Sequence, residues 1–195
     1  DEYSRYTWVF FLIHKSDAFE EIIRFVRLME NLNDQMVKSI RSDNGTEFRN
    51  TTLEEFFDSQ GISQNFSAVR TPQQNGVVER KNRTLCEAKR SMLNDAKLPT
   101  YFWAEDVNKT CFTQNRSIIV KRHDKTPYEV FRGRKPTVDY FRVFGCACHM
   151  LNDREQLGKF DPKTDDRIFV GYSLNSRAYR IYNLRRKCID ESVHV

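Results

Sequence analysis

The chain has 195 residues, 39% hydrophobic and 30% charged, with fifteen Phe and eight Tyr. That composition is ordinary for a globular protein with a sizeable core, and the length suits one large domain or one domain with a small companion. No apolar run approaches the ~18 residues of a membrane span, and the net charge of +5 favours an anionic partner, most simply nucleic acid.

Asp1-Glu2-Tyr3-Ser4-Arg5 lacks the basic-then-apolar pattern of a signal peptide, and the absence of an initiator Met points to a piece of something longer. Five cysteines, odd in number and irregularly spaced, point to reduced thiols and an intracellular setting. Residues 6–13 are aromatic and β-branched and read as a strand buried on both faces. Ser16-Asp17 then caps a helix with Phe19, Ile22, Ile23 and Val26 at helical spacing. Residues 37–41 form the next strand, with Asp43 at its C-terminal end. A short helix over 52–57 stops at Gly61, and a short strand follows over 62–68.

Thr71-Pro72-Gln73-Gln74-Asn75-Gly76 reads as a polar loop, and a long helix follows from about Val77 to Asp95. Val78, Leu85, Ala88, Met92 and Leu93 make its buried stripe, and Glu79 falls in its first turn, where the helix dipole favours a carboxylate. Cys86 belongs to the core of that helix. Another helix runs from Leu98 to about Ser117, with Phe102, Trp103, Val107, Cys111 and Phe112 on its apolar face. Residues 121–136 form a connector rich in Lys and Arg. Helical periodicity then ends. Four β-rich runs, at 141–151, 167–172, 178–183 and 187–195, suggest a small barrel or meander.

Thirty-five residues separate Asp43 from Glu79. Phosphodiester chemistry needs an activated oxygen nucleophile and relief of charge on the leaving oxygen, and two divalent metals about 3.5–4 Å apart do both. Mg²⁺ takes oxygen ligands and keeps several waters, so a few carboxylates on rigid elements suffice. An Asp at a strand end and a Glu early in a helix supply such ligands. Asn44-Gly45 allows a sharp exit after Asp43, Gly76 allows close backbone approach, and Arg80, Lys81 and Arg83 follow Glu79 where phosphates would arrive. Taken singly, Asp-Asn-Gly is most often a plain turn and a Glu near a helix start a surface residue. The joint pattern points to metal-dependent chemistry.

Ser42-Asp43-Asn44-Gly45-Thr46-Glu47-Phe48 and Pro72-Gln73-Gln74-Asn75-Gly76-Val77-Val78-Glu79-Arg80 resemble the retroviral-type integrase core, most closely that of copia-type retrotransposon polyproteins. The resemblance extends to Asp1-Glu2-Tyr3-Ser4-Arg5-Tyr6-Thr7-Trp8, Leu98-Pro99-Thr100-Tyr101-Phe102-Trp103, Thr126-Pro127-Tyr128-Glu129, Arg142-Val143-Phe144-Gly145-Cys146 and Phe169-Val170-Gly171-Tyr172-Ser173. It implies an α/β chain with an RNase H-like mixed sheet and flanking helices, followed by a small all-β SH3-like module. The implied division is 1–120 for the core, 121–136 for the basic connector and 137–195 for the β module.

The resemblance also implies an Asp, Asp, Glu triad holding Mg²⁺ or Mn²⁺, 3′-end processing and strand transfer of DNA, and a homo-oligomer in the full-length parent. Asp43 and Glu79 match the second and third acids, Asn75 a DNA-contacting loop position, and Arg80, Lys81 and Arg83 a basic helix segment beside the DNA end. The first acid and the first strand are expected upstream of Asp1. Asp1 itself stands too close to Asp43 and precedes the aromatic run. Cys146-Ala147-Cys148-His149 lacks a second ligand pair and reads as packing thiols rather than a zinc site. The expectation is therefore a fragment of a DNA integrase. The alternatives are a catalytically inactive remnant that only binds nucleic acid, or another RNase H-like nuclease.

Overall fold

The computed structural model describes residues 1–67, 72–151, 164–173 and 176–194, the side chains of 72–75, Lys89 and Leu151 excepted. The chain divides into two compact units: residues 10–82, and residues 1–9 together with 83–195. These units cut the chain at other places than the sequence-based domain limits, because α4 (Trp103–Ser117) packs with the C-terminal sheet.

The unit of residues 10–82 holds α1 (Ala18–Asn33), β1 (Ser39–Ser42), α2 (Thr51–Gln60) and β2 (Ser63–Phe66). Strands β1 and β2 pair in parallel, Ser39 opposite Ser63 through Ser42 opposite Phe66. The connection α2 starts where Asn50 accepts the Thr52 amide, and it stops at Gly61, whose φ of 66° is left-handed. Val26, Leu53, Phe57 and Ile62 form the core, with Ile22, Ile23 and Ile40 packed against it. The strand expected over 6–13 is not formed: residues 6–12 have no regular structure, and Ile13 is 90% exposed. Propensity alone makes no strand, and among the described residues the parallel pair β1–β2 takes no third partner.

Helix α3 (Pro72–Ala96) begins five residues earlier than the polar composition suggests and runs across the boundary between the units. Proline is favoured at a first helical position, Gln73 and Gln74 are good helix formers, and Asn75-Gly76 costs only on the order of 1–2 kcal/mol against a long helix. Of its expected stripe, Leu85 and Leu93 are buried, but Val78 is 60% exposed; Cys86 is exposed too.

In the other unit, α4, α5 (Pro127–Arg132) and an antiparallel sheet pack together. The sheet runs β3 (Ala147–Leu151), β4 (Thr164–Tyr172), β5 (Tyr179–Asn183) and β6 (Cys188–Ser192) in chain order. Helix α4 departs from its expected face. Phe102 just before it and Cys111 are buried, Trp103 is exposed, and Asp106, Lys109, Thr110 and Asn115 are buried instead. Each serves a packing role that hydropathy cannot see. Asn115 both accepts from the Thr7 amide and donates to its carbonyl, at 3.0 and 2.7 Å. Thr110 Oγ1 donates to Asp106, and burial pushes the Lys109 amine down against the pull of Asp106. Arg180 of β5 forks onto Glu105 at 2.6 and 3.0 Å, joining helix to sheet. Gly145, at φ 80°, admits Ala96 so closely that a side chain there would collide with it. Helix α5 lies inside the expected connector, framed by a capping box between Thr126 and Glu129 and a left-handed Gly133.

Candidate functional site

Asp43 sits one residue past the end of β1, exposed, and its Oδ1 accepts the Gly45 amide at 3.0 Å. That bond closes the turn the Asp-Asn-Gly string encodes. The next residue anchors it: Asn44 Nδ2 donates to the Ser67 carbonyl at 2.6 Å, and Arg49 Nη2 donates to Asn44 Oδ1 at 2.6 Å. Arg49 in turn lies over the Phe66 ring, 5.2 Å from its centroid. The loop carrying Asp43 is thus tied to the end of β2. Ser42 Oγ is buried without a hydrogen-bond partner among the described residues.

Sequence reading left Glu47 without a role, yet its carboxylate lies beside Asp43. A Cβ built on Gly45 would stand 2.8 Å from Glu47 Oε2 and 3.0 Å from Asp43 Oδ1. The two carboxylates thus lie on the same side of Gly45. The signal was present, since Glu47 is four residues from Asp43 in the same string.

Glu79 lies on α3 in the same compact unit as Asp43, with an exposed side chain. Since α3 starts at Pro72, Glu79 is beyond its first turn, which holds no acid. The favourable dipole at the helix start therefore does not act on it. Gly76 is helical, and a Cβ built on it would stand 3.8 Å from the Arg80 guanidinium, so no described residue crowds the position. Arg80 and Lys81 share the unit of Asp43 and Glu79, Arg80 exposed and Lys81 half-buried. Arg83, exposed, opens the other unit. Asn75 is helical in its backbone, and its side chain is outside the described residues.

Among the described residues no group of three or more His, Cys, Asp or Glu is gathered as for a metal ion. What the loop offers is a pair of hard oxygen donors, Asp43 and Glu47, on a backbone held by Asn44. That chemistry suits Mg²⁺ or Mn²⁺ rather than zinc or copper. Asp1 is spent locally, its Oδ2 accepting the Ser4 amide at 2.8 Å. Cys148 is in the core of the β sheet, and burial, with Cys146 beside it, pushes its thiol up to about 11. No helix among the described residues is long and apolar enough to cross a membrane.

The retroviral polymerase SH3-like domain family matches residues 146–195, the part that carries β3 to β6. The retrovirus-related Pol polyprotein from transposon TNT 1-94 of Nicotiana tabacum is 37% identical over 192 residues, taking in 98% of this chain and 14% of that polyprotein. The corresponding polyprotein from transposon RE1 of Arabidopsis thaliana is 34% identical over 195 residues, 100% of this chain and 13% of its own length. The chain thus spans a small part of each relative. Among solved structures, a chain of the simian T-cell lymphotropic virus intasome, imaged with the PP2A regulatory subunit B56 gamma, aligns with a TM-score of 0.50. That likeness covers 92% of this chain and 62% of the other at 13% identity, and it bears on the fold. The chain is homologous along its whole length to a stretch of the retrovirus-related Pol polyproteins of plant copia-type transposons.

Proposed function

We propose that this chain is the integrase stretch of such a polyprotein, and that Asp43 and Glu79 are two of the acids with which the parent enzyme holds divalent metal for DNA 3′-end processing and strand transfer. The observation that carries this reading is the anchored Asp43 turn at the end of β1, in one compact unit with Glu79 of α3 and with thirty-five residues between the two acids. Bound Mg²⁺ or Mn²⁺ would activate water or a 3′-hydroxyl and relieve charge on the leaving oxygen. Asp43 and Glu79 would hold the metal, with Glu47 at hand beside Asp43. The Asn44 bonds fix the direction of the Asp43 carboxylate before metal arrives, so little ordering is left to be done on binding. Asn75, Arg80, Lys81 and Arg83 would take DNA phosphates.

The same reading divides the protein at residues 120 and 136 into catalytic core, basic connector and SH3-like module. It takes the full-length parent to be a homo-oligomer working on element ends and target DNA in nucleus and cytoplasm. In this reading the chemistry belongs to the full-length parent. In a full-length parent, Asp43→Asn or Glu79→Gln abolishes strand transfer and leaves DNA affinity within about twofold. Strand transfer retained by either variant would refute the assignment. On the chain itself, paramagnetic Mn²⁺ should broaden the backbone NMR signals of Gly45 and of Glu79 before others, and Asp43→Asn should remove the broadening at Gly45.

A further inference from the structure

The net charge of +5 is not spread over the chain. Between Arg116 and Lys135 stand seven cations and two carboxylates, an excess of five, so the remaining residues balance to zero. All of this stretch lies in one compact unit. Its two acids do little to cancel it at the surface that matters. The Glu129 carboxylate accepts from the Thr126 amide and hydroxyl, both at 2.9 Å, and Lys135 and Lys125 act on it. Of the five other cations, Arg116, Lys121, Arg122, Arg132 and Arg134, three gather on the rings of Phe112, Tyr128 and Phe131: Arg116, Arg132 and Arg134.

Each of these guanidiniums lies over an aromatic ring. Arg116, at the end of α4, is 3.5 Å from the Phe112 centroid and 4.7 Å from that of Tyr128. Arg134 approaches the same Tyr128 ring at 6.0 Å, and Arg132 lies 5.3 Å from the Phe131 centroid. Tyr6 binds the group into one patch. Its ring is 4.9 Å from that of Phe131, and its hydroxyl, pushed up by burial, is pulled down by both Arg116 and Arg132. A ring under a guanidinium sets the plane of the fork and leaves N–H edges to donate outward. Arg132 and Arg134 are exposed, so their edges reach solvent; Arg116 is half-buried and gives Nη1 to the Phe112 carbonyl at 3.0 Å, which holds it at the rear of the patch.

We propose that Arg116, Arg132 and Arg134, held on Phe112, Tyr128 and Phe131, form a second nucleic-acid surface that grips the phosphodiester backbone. Planar forks on fixed rings suit phosphate oxygens, which they meet by two parallel bonds, and they lose little freedom on binding. Phosphate contacts position a duplex without reading its sequence, so the surface is indifferent to base order. It uses none of the residues of the Asp43–Glu79 site and goes beyond the function proposed for it.

The test is fluorescence anisotropy of the whole chain with a labelled duplex DNA and a duplex RNA of the same sequence, across a salt series. Arg132→Gln with Arg134→Gln should weaken binding at least tenfold and lower the slope of log affinity against log salt by about two, near 0.9 for each phosphate no longer neutralised. Tyr128→Leu keeps every charge and should weaken binding three- to tenfold with the slope nearly unchanged. Arg24→Gln, a surface change elsewhere, should matter less than twofold. Equal weakening on DNA and RNA supports a grip on phosphate common to both, and weakening on one alone names that one as ligand. Parent-like affinity in the double variant overturns the proposal, as does an Arg24→Gln effect of the same size or a chain that binds neither duplex. None of these variants alters a residue of the Asp43–Glu79 site, which separates failure here from failure of the metal site.

Discussion

The side chain of Asn44 holds the Ser67 carbonyl at 2.6 Å, so the residue after Asp43 is fastened to the residue after β2. Parallel pairing carries the same alignment: the Ser67 amide donates to the Ser42 carbonyl at 3.0 Å. One backbone bond and one side-chain bond thus fix the point where both strands end. That fixity decides how the Asp43 carboxylate is presented.

Asn44→Ala should therefore loosen the turn without removing the carboxylate. It deletes the bond to Ser67 and strands the Arg49 guanidinium that Asn44 Oδ1 accepts. At ~1 kcal/mol net for each bond, the loss is about 2 kcal/mol in urea unfolding. Mn²⁺ broadening at Gly45 should weaken severalfold with Asp43 intact. Unchanged metal response would show that the anchoring is structural only.

The SH3-like sheet carries a buried charge whose partners decide its cost. Arg167 is 2% exposed, with Nη1 2.7 Å from Asp190 and Nη2 3.9 Å from Asp165. Asp190→Ala leaves that guanidinium buried with only the longer contact and should cost ~3 kcal/mol. Asp190→Ala with Arg167→Met removes the charge as well and should recover at least half of the loss. Urea midpoints of the two variants decide it. A double variant no better than the single would show that packing, not charge, is at stake.

Helix α5 gives a pH test. Bonds from the Thr126 amide and hydroxyl hold the Glu129 carboxyl below the usual carboxylate range. A group depressed in the folded state contributes stability that is present above its ordinary pKa and lost as pH falls through the folded one. Melting temperature should accordingly fall as pH drops below about 4, the ordinary Glu range. Thr126→Val, which keeps shape and removes the hydroxyl, should flatten part of that fall and cost about 1 kcal/mol of cap at neutral pH.

Thr126-x-x-Glu129 with Pro127 between and Gly133 after is a complete helix frame, and it was legible in the sequence before the helix was seen. The basic residues around it drew the reading toward a connector. The end of β1 was legible because Asp43-Asn44-Gly45 favours a turn directly after the strand-forming stretch of 37–41. Other positions were not. Asn75-Gly76 carries breaker residues, yet helix propensity is a weak local term that the rest of α3 outweighs. Residues 6–13 have strand composition, but a strand is a relation between chains of hydrogen bonds, and composition names no partner. The buried face of α4 is polar because Asn115 completes the backbone of Thr7 and Asp106 faces Thr110 and Lys109. Those partners lie far away in sequence or depend on which way the helix is turned. The site was thus legible where a motif fixes its own backbone, as at Asp43. It was illegible where the length of a helix decides, as for the turn of α3 on which Glu79 stands.

Gly76 separates the folding role of a residue from its functional one. It lies inside α3, and among the described residues a Cβ built on it would find Arg80 nearest, at 3.8 Å or more. Among the described residues nothing crowds that position, and glycine within a helix is ~1 kcal/mol less favourable than alanine. Gly76→Ala should therefore raise stability by up to about 1 kcal/mol, read from the urea midpoint. If glycine is there so that DNA can approach the backbone beside Glu79, the same change should lower DNA affinity of the chain severalfold and strand transfer by the parent more. A stabilised variant with reduced DNA binding assigns Gly76 to the DNA surface. A stabilised variant that binds and joins DNA normally removes Gly76 from the site and leaves Glu79, Arg80 and Lys81 as its whole contribution from that stretch of α3.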